Sequence, residues 1–114
     1  MITLFGIPNC DTIKKARKWL GDHDVDYRFH DFRKDGLEKS ALEQWVKSAG
    51  WETLLNQRGT TWRQLPENDK TDINESKAIR LMLAHPAMIK RPVLVMGKTV
   101  LVGFSEQDYK NLLK

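Results

Sequence analysis

The sequence predicts an α/β fold: a four-stranded mixed sheet built from a βαβ unit and a ββα unit, with a helical insertion between them. Three observations predict it. An apolar run, an amphipathic segment and an alternating run follow one another at the N-terminal end. Two apolar runs flank Gly97-Lys98 at the other end. The stretch between them has helical periodicity.

The elements follow in order. Met1 to Phe5 is short and apolar, as a buried strand is. Asp11 to Leu20 places Ile13, Ala16, Trp19 and Leu20 on one helical face; Asp11 or Thr12 can cap its start and Gly21 can stop it. Val25, Tyr27 and Phe29 alternate with Asp26, Arg28 and His30, which predicts a second strand. Strand, helix, strand over so short a span makes a βαβ unit with parallel strands and a right-handed crossover. Leu42, Trp45, Val46 and Ala49 predict a helix ended by Gly50, and Ala78, Ile79, Met82 and Leu83 predict another from Asn74 to Ala84, with Pro86 beyond. The segment between them, with Gly59 and Pro66, reads as irregular with one short helical turn. Pro92 to Met96 and Thr99 to Val102 form a hairpin across Gly97-Lys98. Ser105 to Asp108 resembles a capping box, and Tyr109, Leu112 and Leu113 supply the apolar face of a last helix. This is the thioredoxin-type plan. The 114 residues are expected to form a single domain, residues 1–114, with the insertion at about 38–86.

Composition narrows the function. One cysteine excludes an internal disulfide and a multi-cysteine metal site, and it suits a reducing compartment such as the cytoplasm. No signal segment and no long apolar run are visible, so no membrane partner is expected. The net charge of +4 is mild, and only Lys14, Lys15, Arg17 and Lys18 cluster. That cluster reads either as a solvated helix face or as a local field for an anion. No nucleic-acid-binding signature appears, so nucleic acid is not an expected partner.

The single cysteine, Cys10, follows the first strand and begins the first helix. A helix N-terminus carries partial positive charge from unpaired N–H groups, which favours the reactive thiolate. Thr12 and Ile13 supply such groups. Asp11 opposes the thiolate, and Lys14 and Lys15 can offset it. Cys10 is therefore the candidate catalytic nucleophile, although a free cysteine is also often a buried small hydrophobe. Its disulfide chemistry needs a second thiol from another molecule.

Pro92 reads as an ordinary strand-start proline or as a cis-proline facing Cys10, exposing the backbone of Arg91 to a peptide or glutathione. Arg91 is a candidate anion ligand or a solvated surface residue. Arg58 and Arg63 flank the turn at Gly59, where they serve solubility or grip an oxyanion. His23, His30 and His85 are scattered and match no metal-ligand spacing, so no metal is expected.

Three segments carry a resemblance that spans the chain. They are Phe5-Gly6-Ile7-Pro8-Asn9-Cys10-Asp11-Thr12-Ile13-Lys14-Lys15-Ala16, then Leu54 to Arg63, then Met88 to Val95 with Val102 to Glu106. With them the sequence resembles the arsenate reductase (ArsC)-like family, close to its Spx and YffB branch. The resemblance implies a thioredoxin-like fold with a helical insert and Cys10 as nucleophile. It matches Arg91 to an arginine that helps bind an oxyanion or glutathione. It sets Arg58 near another anion-binding arginine, with Asn56 as the competing match. The third family arginine falls near Gly103 and is absent, and the run around Cys10 differs from that of true arsenate reductases. Ile13 stands where Spx-type regulators carry the second cysteine of their redox switch.

The expected activity is that of a glutathione-dependent thiol reductase, with glutathione as co-substrate. Its partner is a disulfide, a glutathionylated molecule or an oxyanion. Arg91, Pro92, Arg58, Asn9 and Thr12 are the expected glutathione- or anion-binding residues. The alternatives are a glutathione-dependent arsenate reductase and a Spx-like regulator that binds RNA polymerase.

Overall fold

In the computed structural model, which describes residues 2–112, strand β1 (Ile2–Gly6) lies inside a mixed sheet. Its alternate residues Ile2, Leu4 and Gly6 are buried, as a period of two requires for one face against the core. Strand β2 (Tyr27–Asp31) runs parallel to it, from Ile2 opposite Tyr27 to Gly6 opposite Asp31. On the other side β3 (Val93–Met96) is antiparallel, from Ile2 opposite Met96 to Phe5 opposite Val93. Strand β4 (Thr99–Val102) completes the order β2-β1-β3-β4. Met96 faces Thr99 across the two-residue loop Gly97-Lys98, where Gly97 takes φ +58°. That left-handed conformation suits glycine in a tight hairpin. The fold is the thioredoxin-like α/β plan that the sequence predicts. Met1, expected to begin the first strand, lies outside the described residues.

Two compact units make up the chain. The first joins the segment up to Gly36 to the segment from Arg91 onward and contains the sheet. Helix α1 (Asp11–Asp22) buries Ile13, Ala16, Trp19 and Leu20. It does not stop at Gly21. Asp24, at φ 55°, takes the left-handed position, and the N–H of Val25 bonds the carbonyl of Leu20 while His23 serves as the cap. The His23 ring stacks on Trp19 at 3.9 Å, and its Nδ1 lies 2.8 Å from the Trp19 carbonyl oxygen. These contacts give the helix a finish that does not need a glycine. A single turn, α2 (Phe32–Asp35), follows β2, with the Asp31 side chain accepting the Arg33 N–H. In the last described helix of the chain, Glu106–Leu112, the Ser105 Oγ accepts the Asp108 N–H. Leu113 lies outside the described residues.

Ile2, Leu4, Ala16, Trp19, Leu20, Leu94 and Tyr109 form the core of this unit. Each fully buried leucine stabilises it by about 2–3 kcal/mol relative to exposure. Tyr109 meets Trp19 and Phe104 edge to face, at 5.5 and 4.9 Å. Its hydroxyl is buried and has no hydrogen-bond partner among the described residues, and burial holds its pKa above the usual phenol range.

The second unit is Leu37–Lys90. Helix α3 (Lys39–Ala49) buries Leu42, Trp45 and Val46 and ends at Gly50, at φ +89°. The segment expected to be irregular with one turn instead holds three, α4 (Trp51–Leu54), α5 (Thr60–Arg63) and α6 (Glu67–Lys70). A single turn has no periodicity to read. Helix α7 (Glu75–Ala84) starts where the Asn74 side chain accepts the Lys77 N–H at 2.9 Å, and it buries Ala78 and Met82. A 3₁₀ turn, Pro86–Met88, follows. Leu55 and Ile89, both buried, then form an isolated antiparallel bridge; the Asn56 N–H bonds the Met88 carbonyl and the Lys90 N–H bonds that of Leu54. The last helix, Glu106–Leu112, is α8.

Candidate functional site

Cys10 lies three residues beyond Ile7, which is buried, whereas Pro8 and Asn9 are exposed. Its backbone is extended, at φ −99° and ψ 130°, and its carbonyl accepts the Lys14 N–H at 3.0 Å, so Cys10 is the N-cap of α1. No side-chain hydrogen bond of standard geometry closes this end. The N–H groups of Ile13 and Thr12 act on the sulfur instead.

Burial is the largest influence on the thiol and pushes its pKa up. Against it work the Ile13 N–H, the Thr12 N–H, and a hydrogen bond and positive charge from the Arg91 guanidinium. Together they prevail, and the Cys10 pKa lies below the ordinary thiol value. This is the expected effect of donors and a cation around a thiolate. The cationic charge that acts on the thiol belongs to Arg91. Lys14 and Lys15, expected to offset Asp11, are exposed.

Sheet order explains how Arg91 arrives. The end of β1 lies against the start of β3, with Phe5 opposite Val93, and Arg91 is two residues before that start. Cys10 follows the end of β1, so neighbouring strands bring together residues far apart in sequence. The peptide between Arg91 and Pro92 is cis, and Pro92 is buried. Cys10, Thr12 and Arg91 thus meet at one place, with Asn9 adjacent to Cys10 in the chain.

Arg58 belongs to the second unit. There it lines an open cleft of about 380 Å³ with Glu52, Leu55, Asn56, Gln57 and Lys90. The Asn56 Oδ1 accepts the Arg58 N–H at 3.1 Å, which fixes the turn. Nothing in the sequence points to Glu52 and Lys90; the Leu55–Ile89 bridge brings their segments together, and a one-pair bridge has no sequence pattern. Arg63 ends α5, and its carbonyl accepts the Lys70 ammonium at 3.2 Å. Among the described residues, no group of three or more His, Cys, Asp and Glu side chains could hold a metal ion. No helix among them is long and apolar enough to cross a membrane.

The profile of the ArsC family matches residues 5–112. The chain belongs to the ArsC family. It is 50% identical to a solved structure named YffB (PA3664) protein, with a TM-score of 0.97 and complete coverage of both chains. It is 48% identical to a Brucella melitensis protein described as related to arsenate reductase, with a TM-score of 0.78, over 99% of this chain and 94% of that one. The global transcriptional regulator Spx of Streptococcus mutans is 29% identical over 115 residues, which is 99% of this chain and 83% of Spx. The likeness to the Spx and YffB branch that the N-terminal motif suggests is therefore present across the ArsC fold.

Proposed function

We propose that this ArsC-family protein is a glutathione-dependent thiol reductase that works through Cys10 alone. The Cys10 thiolate attacks the glutathione sulfur of a glutathionylated substrate. The substrate thiolate leaves and takes a proton from solvent, and Cys10 remains in a mixed disulfide with glutathione. A free glutathione thiolate then displaces Cys10 from that mixed disulfide. Oxidised glutathione departs and the Cys10 thiolate is restored. The net exchange leaves the number of disulfides unchanged: the substrate sulfur is reduced to a thiol as the sulfur of the free glutathione is oxidised into the disulfide of oxidised glutathione. An ordinary disulfide is opened by the same attack, and two free glutathiones then complete its reduction: one displaces Cys10 from the substrate sulfur, and the second frees that sulfur as a thiol and leaves as oxidised glutathione.

The observation that supports this reading is the lowered pKa of Cys10, produced by the Ile13 and Thr12 N–H groups and by Arg91. A guanidinium beside the sulfur suits a glutathione carboxylate, and Arg58 offers a similar group in its own cleft. Asn9 and the backbone around Pro92 would complete the contacts to glutathione. A cytoplasm that keeps thiols reduced fits the reaction. The test is steady-state turnover of a glutathionylated peptide with free glutathione. Wild type is expected to exceed the uncatalysed exchange and Cys10→Ser to match it; equal turnover by both proteins overturns the mechanism.

Two relatives favour other readings. The 48% identity to the arsenate reductase-related protein of Brucella melitensis favours arsenate as the molecule that Cys10 attacks, with glutathione as reductant. Arsenate-dependent oxidation of glutathione that needs Cys10 would support it. The similarity to the global transcriptional regulator Spx favours a regulatory protein, and RNA polymerase would be the partner such a regulator docks on. Binding of Cys10→Ser to purified polymerase, without reductase turnover by wild type, would support that one.

A further inference from the structure

Gly6, the last residue of β1, is buried opposite Asp31 of β2. A methyl group on its Cα would overlap Ile13 Cδ1, lie 3.1 Å from Ile13 Cγ1 and lie 4.0 Å from Arg91 Cβ. Ile13 and Arg91 come from different elements, and both act on Cys10, one through its backbone N–H and the other through its side chain. The bare Cα of Gly6 is thus where two of the groups around the sulfur come close to the same backbone.

Rotation of the side chain alone does not make room. A β-branched residue in a helix has one strongly preferred χ1, and rotation about the outer bond of the Ile13 side chain moves Cδ1 but leaves Cγ1 at 3.1 Å. That is closer than the roughly 3.5–4.0 Å of a relaxed carbon–carbon contact. Ile13 is fully buried, so it has no solvent to swing into. A side chain at position 6 is then relieved by repacking of the interior around Ile13 or by a small movement of the first turn of α1 away from β1, and the second carries the Ile13 N–H with it.

We propose that Gly6 is a positioning residue for the Cys10 site: its missing side chain lets the first turn of α1 close on the sulfur beside Arg91. The proposal rests on the reading of Cys10 as the working thiol. Its test examines the thiol without any substrate, so the two can fail separately.

The experiment is the pH profile of Cys10 alkylation by iodoacetamide, with circular dichroism as the measure of folding. The proteins are wild type, Gly6→Ala and Gly6→Ala/Ile13→Val. The valine lacks the overlapping Cδ1. The charged neighbours, Asp11 next in the chain and Arg91 before β3, are the same in all three. Gly6→Ala is expected to fold and to titrate at higher pH, so alkylation near neutrality slows roughly threefold or more. The double variant is expected to recover more than half of that shift. A folded Gly6→Ala with the wild-type profile overturns the proposal, and so does a shift that Ile13→Val leaves in place. If Gly6→Ala does not fold, the double variant decides: a wild-type profile supports the proposal, and a displaced profile or failure to fold overturns it.

Discussion

The Arg91 guanidinium donates a hydrogen bond to the Cys10 sulfur, joining the residue before a cis-proline to the N-cap of a helix. Arg91→Ala removes both that bond and its charge while leaving the Ile13 and Thr12 N–H groups. Burial, which raises the pKa, is then less well opposed. The alkylation profile of Cys10 should move to higher pH, with the rate near neutrality falling roughly three- to tenfold. An unchanged profile would mean that Arg91 has no hold on the thiol.

The same shift makes stability depend on pH. The folded Cys10 titrates below the ordinary thiol value of 9.0. Its ionisation therefore adds stability that is fully present above the unfolded value and is lost as the pH falls through the folded one. The thermal midpoint of wild type relative to Cys10→Ser should rise across that window as pH increases. A constant difference would show that folding does not alter the thiol's acidity.

Leu4, on the central strand β1, has no exposed surface. Leu4→Ala deletes its buried side chain and leaves a cavity among Ile2, Leu20, Leu94 and their neighbours. The expected loss is about 2–5 kcal/mol in urea unfolding. A loss below about 1 kcal/mol would require the core to collapse around the gap.

Tyr109→Phe removes a buried hydroxyl without a hydrogen-bond partner among the described residues, and it keeps the edge-to-face ring contacts. Stability should be unchanged or rise by about 1 kcal/mol. A clear loss in urea unfolding would show that the hydroxyl is engaged.

Asn74→Ala deletes the side chain that accepts the Lys77 N–H at the start of α7. The cost should be about 1 kcal/mol. Hydrogen exchange should quicken in the first turn of α7, and protection there equal to wild type would show that another group caps the helix.

Elements with a repeating pattern were legible in the sequence. The face of Ile13, Ala16, Trp19 and Leu20 and the alternation around Tyr27 predicted α1 and β2, and the Gly97-Lys98 pair predicted the β3–β4 hairpin. One-turn segments such as α4 and α6 were not, because four residues fill a single turn and repeat nothing. The end of α1 differs from the sequence expectation for another reason: His23 rather than Gly21 caps the helix, and Asp24 takes the left-handed backbone after it. Around Cys10 the helix N–H groups could be foreseen from local order. That the acting charge is Arg91's rather than that of Lys14 and Lys15 depends on which strands pair, a long-range fact. The close approach to Gly6 also became visible only in three dimensions.

Ile13, three positions after Cys10, is sealed in the interior and carries no thiol. With no other sulfhydryl in these 114 residues, the chain cannot close a disulfide within itself. A disulfide at Cys10 makes the product heavier than the chain by the mass of the captured thiol less two hydrogens. The intact mass of the chain taken rapidly from cells would therefore report any thiol held at Cys10.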